Sequence, residues 1–426
     1  MQNVIGIRIL KYLVVCAVGV YCFLQANSGG DFKIFLGAAE LLKNGENCYN
    51  VWIHLGGDNY CGYSYSPIFA TFLVPFTYFP WPIVPLLWLI LNIFFLNKIK
   101  EIIIQFLPID FLGRRDRFLF GFICLIVSIR FVLHNFEMIQ MTIFILYCCL
   151  ESLRQAQKGK LVKSGLLLAI GIMVKLIPIV VIPYFVYRRH FKPVFITLFF
   201  IGLMLVFPSI IFGWEFNALL LSDWIDIVNP NNSEFLSEQN KIGEGIHGLS
   251  GFLAGFFTLV GERSGFSRCI HSLSTEQLSF LLNSCRIALI LLTIYFLRKP
   301  PFIRMNNPFR VFWEFSYILC ITPLIFPHQQ KYAFLLICPA LIYCIYHLFQ
   351  VKVEKGINTS YFRIRFYTLV LIFILTTLTT DGLIGKYASK LSQYYKLITF
   401  GVFLLIPLLL LSKPKNSINS IEQDTK

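Results

Sequence analysis

The side chains able to do chemistry in this chain are few, and they stand beside long apolar runs. Asp31 opens "DFKIFLGAAELLKNGENCYN". Asn135, Glu137 and Gln140 fall within "HNFEMIQMT", and Lys175 interrupts "GIMVKLIPIV". Glu244 and His247 lie in "GEGIHGLS", His328, Gln329, Gln330 and Lys331 make up "PHQQK", and Glu314 is embedded in "VFWEFSYIL". A carboxylate can take a proton, Lys and His can meet an anion, and amides can hold hydroxyl groups. Ionisable groups at bilayer depth cost roughly 2.5–3.5 kcal/mol each on insertion scales, so where they persist they line a cavity or a substrate path.

Each of these residues also has a plainer reading. Asp is a preferred helix N-cap, and a helix over 32–44 would stop at Gly45. Lys175 can be a boundary anchor that snorkels to the headgroups. His328 can be a turn residue after Pro327, His247 a loop residue, and Glu314 a structural group nearer the inner end of its span. Tyr63, Tyr65, Trp81 and Trp214 fit the aromatic belt of a membrane protein.

The elements that must position these groups follow from composition. Of the 426 residues, 57% are hydrophobic and 14% charged, and the apolar residues recur in long runs. This predicts an all-α polytopic membrane protein, a single integral-membrane domain over 1–426, and not a β-barrel with short alternating strands. About twelve spans are expected, near 8–25, 66–97, 118–133, 138–153, 161–174, 175–187, 191–213, 277–297, 311–326, 331–349, 363–380 and 395–411. The segment 66–97 carries Pro67, Pro75, Pro80, Pro82 and Pro85, which predicts a bend or two short helices. The first run is read as a retained anchor and not a cleaved signal.

The net charge of +15 is spread over short loops, which argues against a nucleic-acid face. The basic loops 98–117, 154–163, 188–192, 298–310 and 350–365, with both termini, are assigned to the cytosol. Two long loops then face outward, 26–65 and 214–276. In the first, Ile34, Phe35, Ala38, Leu41 and Leu42 form one stripe, which predicts an amphipathic interfacial helix after the first span. Most of the polar residues named above gather on that outer side. The twelve cysteines show no CxxC and no zinc-type spacing. Cys48 and Cys61 share the first loop, as a disulfide or as two thiols.

The order of "DFKIFLGAAELLKNGENCYN", "YSPIFATFLVPFTYFP", "NFEMIQMTIFILYCCL", "VKLIPIVVIPYFVYRR", "GIHGLSGFLAGFF" and "EFSYILCITPLIFPHQQK" resembles the GT-C superfamily of integral-membrane glycosyltransferases. More narrowly it resembles the bacterial polyprenol-phosphate-mannose-dependent α-mannosyltransferases, over roughly residues 8–350. The chain departs from that pattern at Ile139, where the family often has Gly, and at "IHGLS" and "PHQQ".

The resemblance implies transfer of a sugar, mannose by default, from a polyprenyl-phosphate donor to a hydroxyl of a glycan or glycolipid acceptor. The reaction would run at the extracytoplasmic face of the bacterial inner membrane, with inversion and with no metal or cofactor. It matches Asp31 to the catalytic base. The leaving phosphate would be met by Lys175, His328, Lys331 and His247. Asn135, Glu137, Gln140 and Gln329 would hold sugar or acceptor hydroxyls, and Tyr49 and Tyr65 would stack on a ring. The bent segment 66–97 would leave a groove for the prenyl chain. Transport of a lipid-linked or amphipathic solute is the alternative, and a scaffold of envelope assembly a third; against transport stand the lack of an inverted repeat and of a midspan acid.

Overall fold

The computed structural model describes residues 2–56, 59–229, 245–259, 266–297 and 301–414. Among these, six helices are long and apolar enough to cross a membrane, and up to eight if each of two bent helix pairs counts as one span. The protein is a multi-pass membrane protein, and among the described residues not every expected span is a full-length helix. Some of the expected segments are short helices. Leu161–Val174 has 14 residues, which at 1.5 Å per residue is well short of a hydrocarbon core about 30 Å thick.

By its internal contacts the chain forms two compact units, Met1–Ile102 with Phe131–Phe185 and His190–Phe235, and Ile103–Arg130 with Val186–Arg189 and Leu236–Lys426. In the first unit, α1 (Gln2–Ser28) is followed by α2 (Phe32–Lys43) at a bend of 49°. The α2 stripe Phe32, Ile34, Phe35, Ala38, Ala39 and Leu42 is buried against α3 (Pro67–Leu73) and the 3₁₀ turn Val74–Tyr78 that continues it. The prolines break 66–97 as expected, and α4 (Ile83–Phe106) runs on beyond it. A finding absent from the all-helical expectation is an antiparallel hairpin of β1 (Trp52–Gly56) and β2 (Asn59–Gly62), with Ile53 opposite Cys61 and His54 opposite Tyr60. It lies on α2, where Gly37 meets Ile53.

Next come α5 (Arg114–Glu137), α6 (Thr142–Gln157), α7 (Leu161–Val174), α8 (Val181–Tyr187), α9 (Phe191–Phe212) and α10 (Trp214–Val228). Packing of α7 between α6 and α9 forms the centre of the first unit.

The second unit contains α11 (Leu249–Phe257), α12 (Thr275–Leu297), α13 (Pro308–Ile325), α14 (Cys338–Lys355), α15 (Ser360–Phe373), α16 (Asp381–Tyr394) and α17 (Leu397–Leu411). Helix α13 is buried along its length. Its Trp313 and Tyr317 stack on Phe296 at 4.2 and 3.9 Å. Glu314 is structural, as expected. Its carboxylate accepts two bonds from Arg188, at 2.8 and 2.9 Å, and one from Arg310 at 3.0 Å. The three are almost fully buried, and ions so placed persist only when paired and hydrogen-bonded.

Candidate active site

Two turns of the first unit clasp one another and set Asp31. After Ser28 the backbone passes through Gly29 and Gly30 at φ +84° and +45°, and the Asp31 N–H donates to the Met138 carbonyl at 3.0 Å. Met138 belongs to the turn that ends α5. There its N–H bonds His134, Ile139 sits at φ +48°, and the Gln140 N–H donates to Asn135 at 2.9 Å. A Cβ on Gly30 would stand 2.7 Å from the Met138 carbonyl carbon and oxygen, so only glycine lets the turns meet.

Asp31 holds the N-cap position of α2 yet caps none of its amides. Its carboxylate instead accepts a hydrogen bond from Gln140 Nε2. The plain capping reading therefore does not describe this side chain.

The amide of Gln140 extends the contact. Its Oε1 accepts from the Tyr65 hydroxyl at 3.0 Å, and Lys175 Nζ donates to the Tyr65 oxygen at 3.3 Å while standing 5.2 Å from the ring centroid. Aromatic packing fixes Tyr65, edge-on to Phe35 at 4.6 Å, with the Tyr49 hydroxyl donating to its carbonyl at 2.8 Å. Ser66 donates to the Met173 carbonyl, which ties this strand of chain to the end of α7. Lys175 follows as the C-cap residue in extended backbone. Burial pushes the Asp31 carboxyl above its ordinary range; the Gln140 bond and the charges of Lys175 and His134 oppose that rise.

Asp31, Gln140, Tyr65 and Lys175 are thus brought together, and Lys175 faces Tyr65. The other expected residues lie elsewhere or serve differently. Tyr49 is buried, with its hydroxyl bonded to the Tyr65 carbonyl, so it holds the Tyr65 backbone and presents no open stacking face. Asn135 is fully buried and donates to Phe131 of its own helix at 2.8 Å. Glu137 is exposed and contacts His134 at 3.0 Å. His134, whose charge reaches Asp31, was not singled out; its spacing of three from Glu137 on one helix was the available signal.

His247, His328, Gln329 and Lys331 belong to the second unit. The His247 N–H donates to the Gln329 carbonyl at 2.8 Å, its own carbonyl accepts from Thr399 at 2.6 Å, and its ring lies edge-on to Phe334. His247 is fully buried, a position that suits packing. The Gln329 amide nitrogen donates to Pro327 at 2.6 Å, holding its own turn. His328 sits at φ +52° and is half-buried, as is Lys331, which opens the 3₁₀ segment Lys331–Ile337. Burial pushes the His328 imidazole down to about 4, so near neutral pH it offers hydrogen bonding without charge. Lys396, which no sequence signal marked, is fully buried and donates to the Ile246 carbonyl at 2.7 Å. Glu244 lies outside the described residues. Cys48 and Cys61 are free thiols.

Among the described residues, no group of three His, Cys, Asp or Glu side chains is placed to share a metal ion. Comparison with curated proteins and with solved structures finds no match. The model of glycosyltransferase family 87 matches residues 63–327. That stretch includes Tyr65, His134, Gln140, Lys175 and His247; it begins after Asp31 and ends before His328. Transfer of a sugar, and not transport, is the activity this match indicates. With more than half of its length matched, the chain belongs to glycosyltransferase family 87.

Proposed function

We propose that this glycosyltransferase moves a sugar, mannose in the first instance, from a polyprenyl phosphate to an acceptor hydroxyl with inversion, and that Asp31 is the general base. The observation that carries the reading is the Asp31 carboxylate, placed at the start of α2 but turned from its own helix and held by Gln140. The acceptor O–H gives its proton to Asp31 as its oxygen bonds to the anomeric carbon. The bond from that carbon to the phosphate oxygen breaks through an oxocarbenium-like state, and the polyprenyl phosphate leaves with the electron pair.

A leaving phosphate calls for preorganised donors. Lys175 supplies a cation of the first unit in this reading, while Tyr65 and Gln140 border the sugar. The break between α3 and α4 leaves Phe72, Tyr78 and Phe79 exposed, which suits a prenyl chain. The positions of the basic loops support a reaction at the extracytoplasmic face, and the bacterial inner membrane and a GT-C architecture belong to the same reading.

The test is release of free polyprenyl phosphate by purified protein given polyprenyl-phosphate-mannose and a panel of glycosyl and lipid acceptors. Release by wild type and its loss in a folded Asp31→Asn variant is the expected result. An Asp31→Asn protein that releases as fast as wild type would remove the base assignment, and release only from another donor sugar would replace mannose.

A further inference from the structure

We propose that Tyr65 and Lys175 are positioning residues that act on Asp31 through the amide of Gln140, fixing which end of that amide the carboxylate meets. This rests on the reading of Asp31 as the base. An amide has one donating end and one accepting end, and its orientation follows from its neighbours. Asp31, when ionised, can only accept. Lys175 as an ammonium can only donate, and it donates to the Tyr65 oxygen. The single hydroxyl proton of Tyr65 is thereby directed to Gln140 Oε1, which leaves Nε2 for Asp31. Every donor in the series points the same way, from the cation toward the carboxylate.

The reverse orientation would set Oε1 against the carboxylate and Nε2 against a hydroxyl already receiving a proton from Lys175. Both contacts are unfavourable, so the series opposes it unless Asp31 is protonated. The arrangement keeps the base ionised and aimed before the acceptor arrives, and it assigns Lys175 a part that contact with the phosphate does not require.

The charged and titratable groups acting on or sensing Asp31 are Lys175, His134 and the Cys61 thiol. Of these, only Lys175 belongs to the series. Its removal acts both through space and through Tyr65, whereas Tyr65→Phe changes no charge and keeps the ring against Phe35.

The experiment is infrared titration of the Asp31 carboxyl in detergent-purified protein, isolated as the wild-type minus Asp31→Asn difference across pH. Loss of donation to the ionised form moves the midpoint upward. The expected rise is about one pH unit in Tyr65→Phe and more in Lys175→Met. Tyr65→Phe should add less than half of its own shift in the Lys175→Met background, because residues in one series do not add. Lys175→Arg, which restores a donor, should return the midpoint toward wild type, and with Lys175→Met it carries the test should Tyr65→Phe unfold. An unmoved midpoint in folded Tyr65→Phe, fully additive shifts, or a Lys175→Arg midpoint as high as that of Lys175→Met would overturn the proposal. The titration needs no sugar donor. Failure of the base assignment, seen as turnover by Asp31→Asn, is therefore a separate outcome.

Discussion

Replacing Gly30 by alanine asks whether the placement of the carboxylate depends on the clasp between the two turns. Gly30 has φ +45°, where an L residue costs about 1–2 kcal/mol. The added Cβ would stand 2.7 Å from the carbonyl carbon and oxygen of Met138. Non-bonded carbons settle at about 3.5–4.0 Å, so the two backbones have to part by roughly 1 Å. Met138 carries the carbonyl bonded by Asp31 and lies two residues before Gln140. The separation therefore opens the backbone bond and the side-chain contact together. A reacting group displaced by about 1 Å loses on the order of 10²-fold in rate.

Turnover and thermal unfolding of Gly30→Ala are the assays, with Gly45→Ala as control. Gly45 shares the left-handed strain, at φ +76°, but has open space where a Cβ would go. Gly30→Ala is expected to lose about 100-fold in turnover while Gly45→Ala stays within about twofold, both remaining folded. Equal turnover in the two variants would show that the clasp does not position Asp31.

Three further outcomes are expected. Turnover should fall on the acid side at a midpoint above the ordinary carboxylate range, since burial raises the Asp31 pKa. By the same sign, protonating Asp31 relieves a penalty in the folded state, so acidification through that window and Asp31→Asn should leave unfolding temperature level or higher. An acid limb at or below the ordinary carboxylate value, or an Asp31→Asn protein of lower Tm, would contradict this. Glu314→Gln should destabilise by about 3–5 kcal/mol in a denaturant titration, because it leaves Arg188 and Arg310 buried without a counter-charge; a loss below about 1 kcal/mol would mean that the two cations find other compensation. Alkylation read by mass spectrometry without prior reduction should label half-buried Cys61 in the folded protein and buried Cys48 only after unfolding, whereas label at neither until a reductant is added would reveal a disulfide.

The membrane class, the proline break and the amphipathic α2 were legible because each depends on local composition or period. Asp31, Gln140 and Lys175 stood out by type within a longer list of polar groups beside apolar runs, while Tyr65 was read only as a belt or stacking residue. Their linkage was not legible. Tyr65 lies 75 residues from Gln140 and 110 from Lys175, and no local rule joins such positions. The fate of Asn135 and Gln329 was missed although it is local: their amides are taken up by carbonyls four and two residues away. Which apolar runs form full-length helices was not legible, because the length of a run does not fix the length of its helix, as at 161–187. The hairpin had a signal in "WIHLGGDNYCG", two short runs on either side of the residues Gly-Gly-Asp, which the helical context masked.

The buried ion cluster of the second unit bears on how the chain is made. Arg188 precedes its carboxylate partner by 126 residues. At about 5–20 residues per second, roughly 6–25 s of synthesis separate the two. Through that interval the ribosome has delivered a guanidinium destined for burial, and Arg310 emerges before Glu314 as well. Until Glu314 is made, the two cations have no counter-charge from this cluster. The second unit therefore closes late in biogenesis, and truncated chains ending before Glu314 hold an arginine with no carboxylate to fold around.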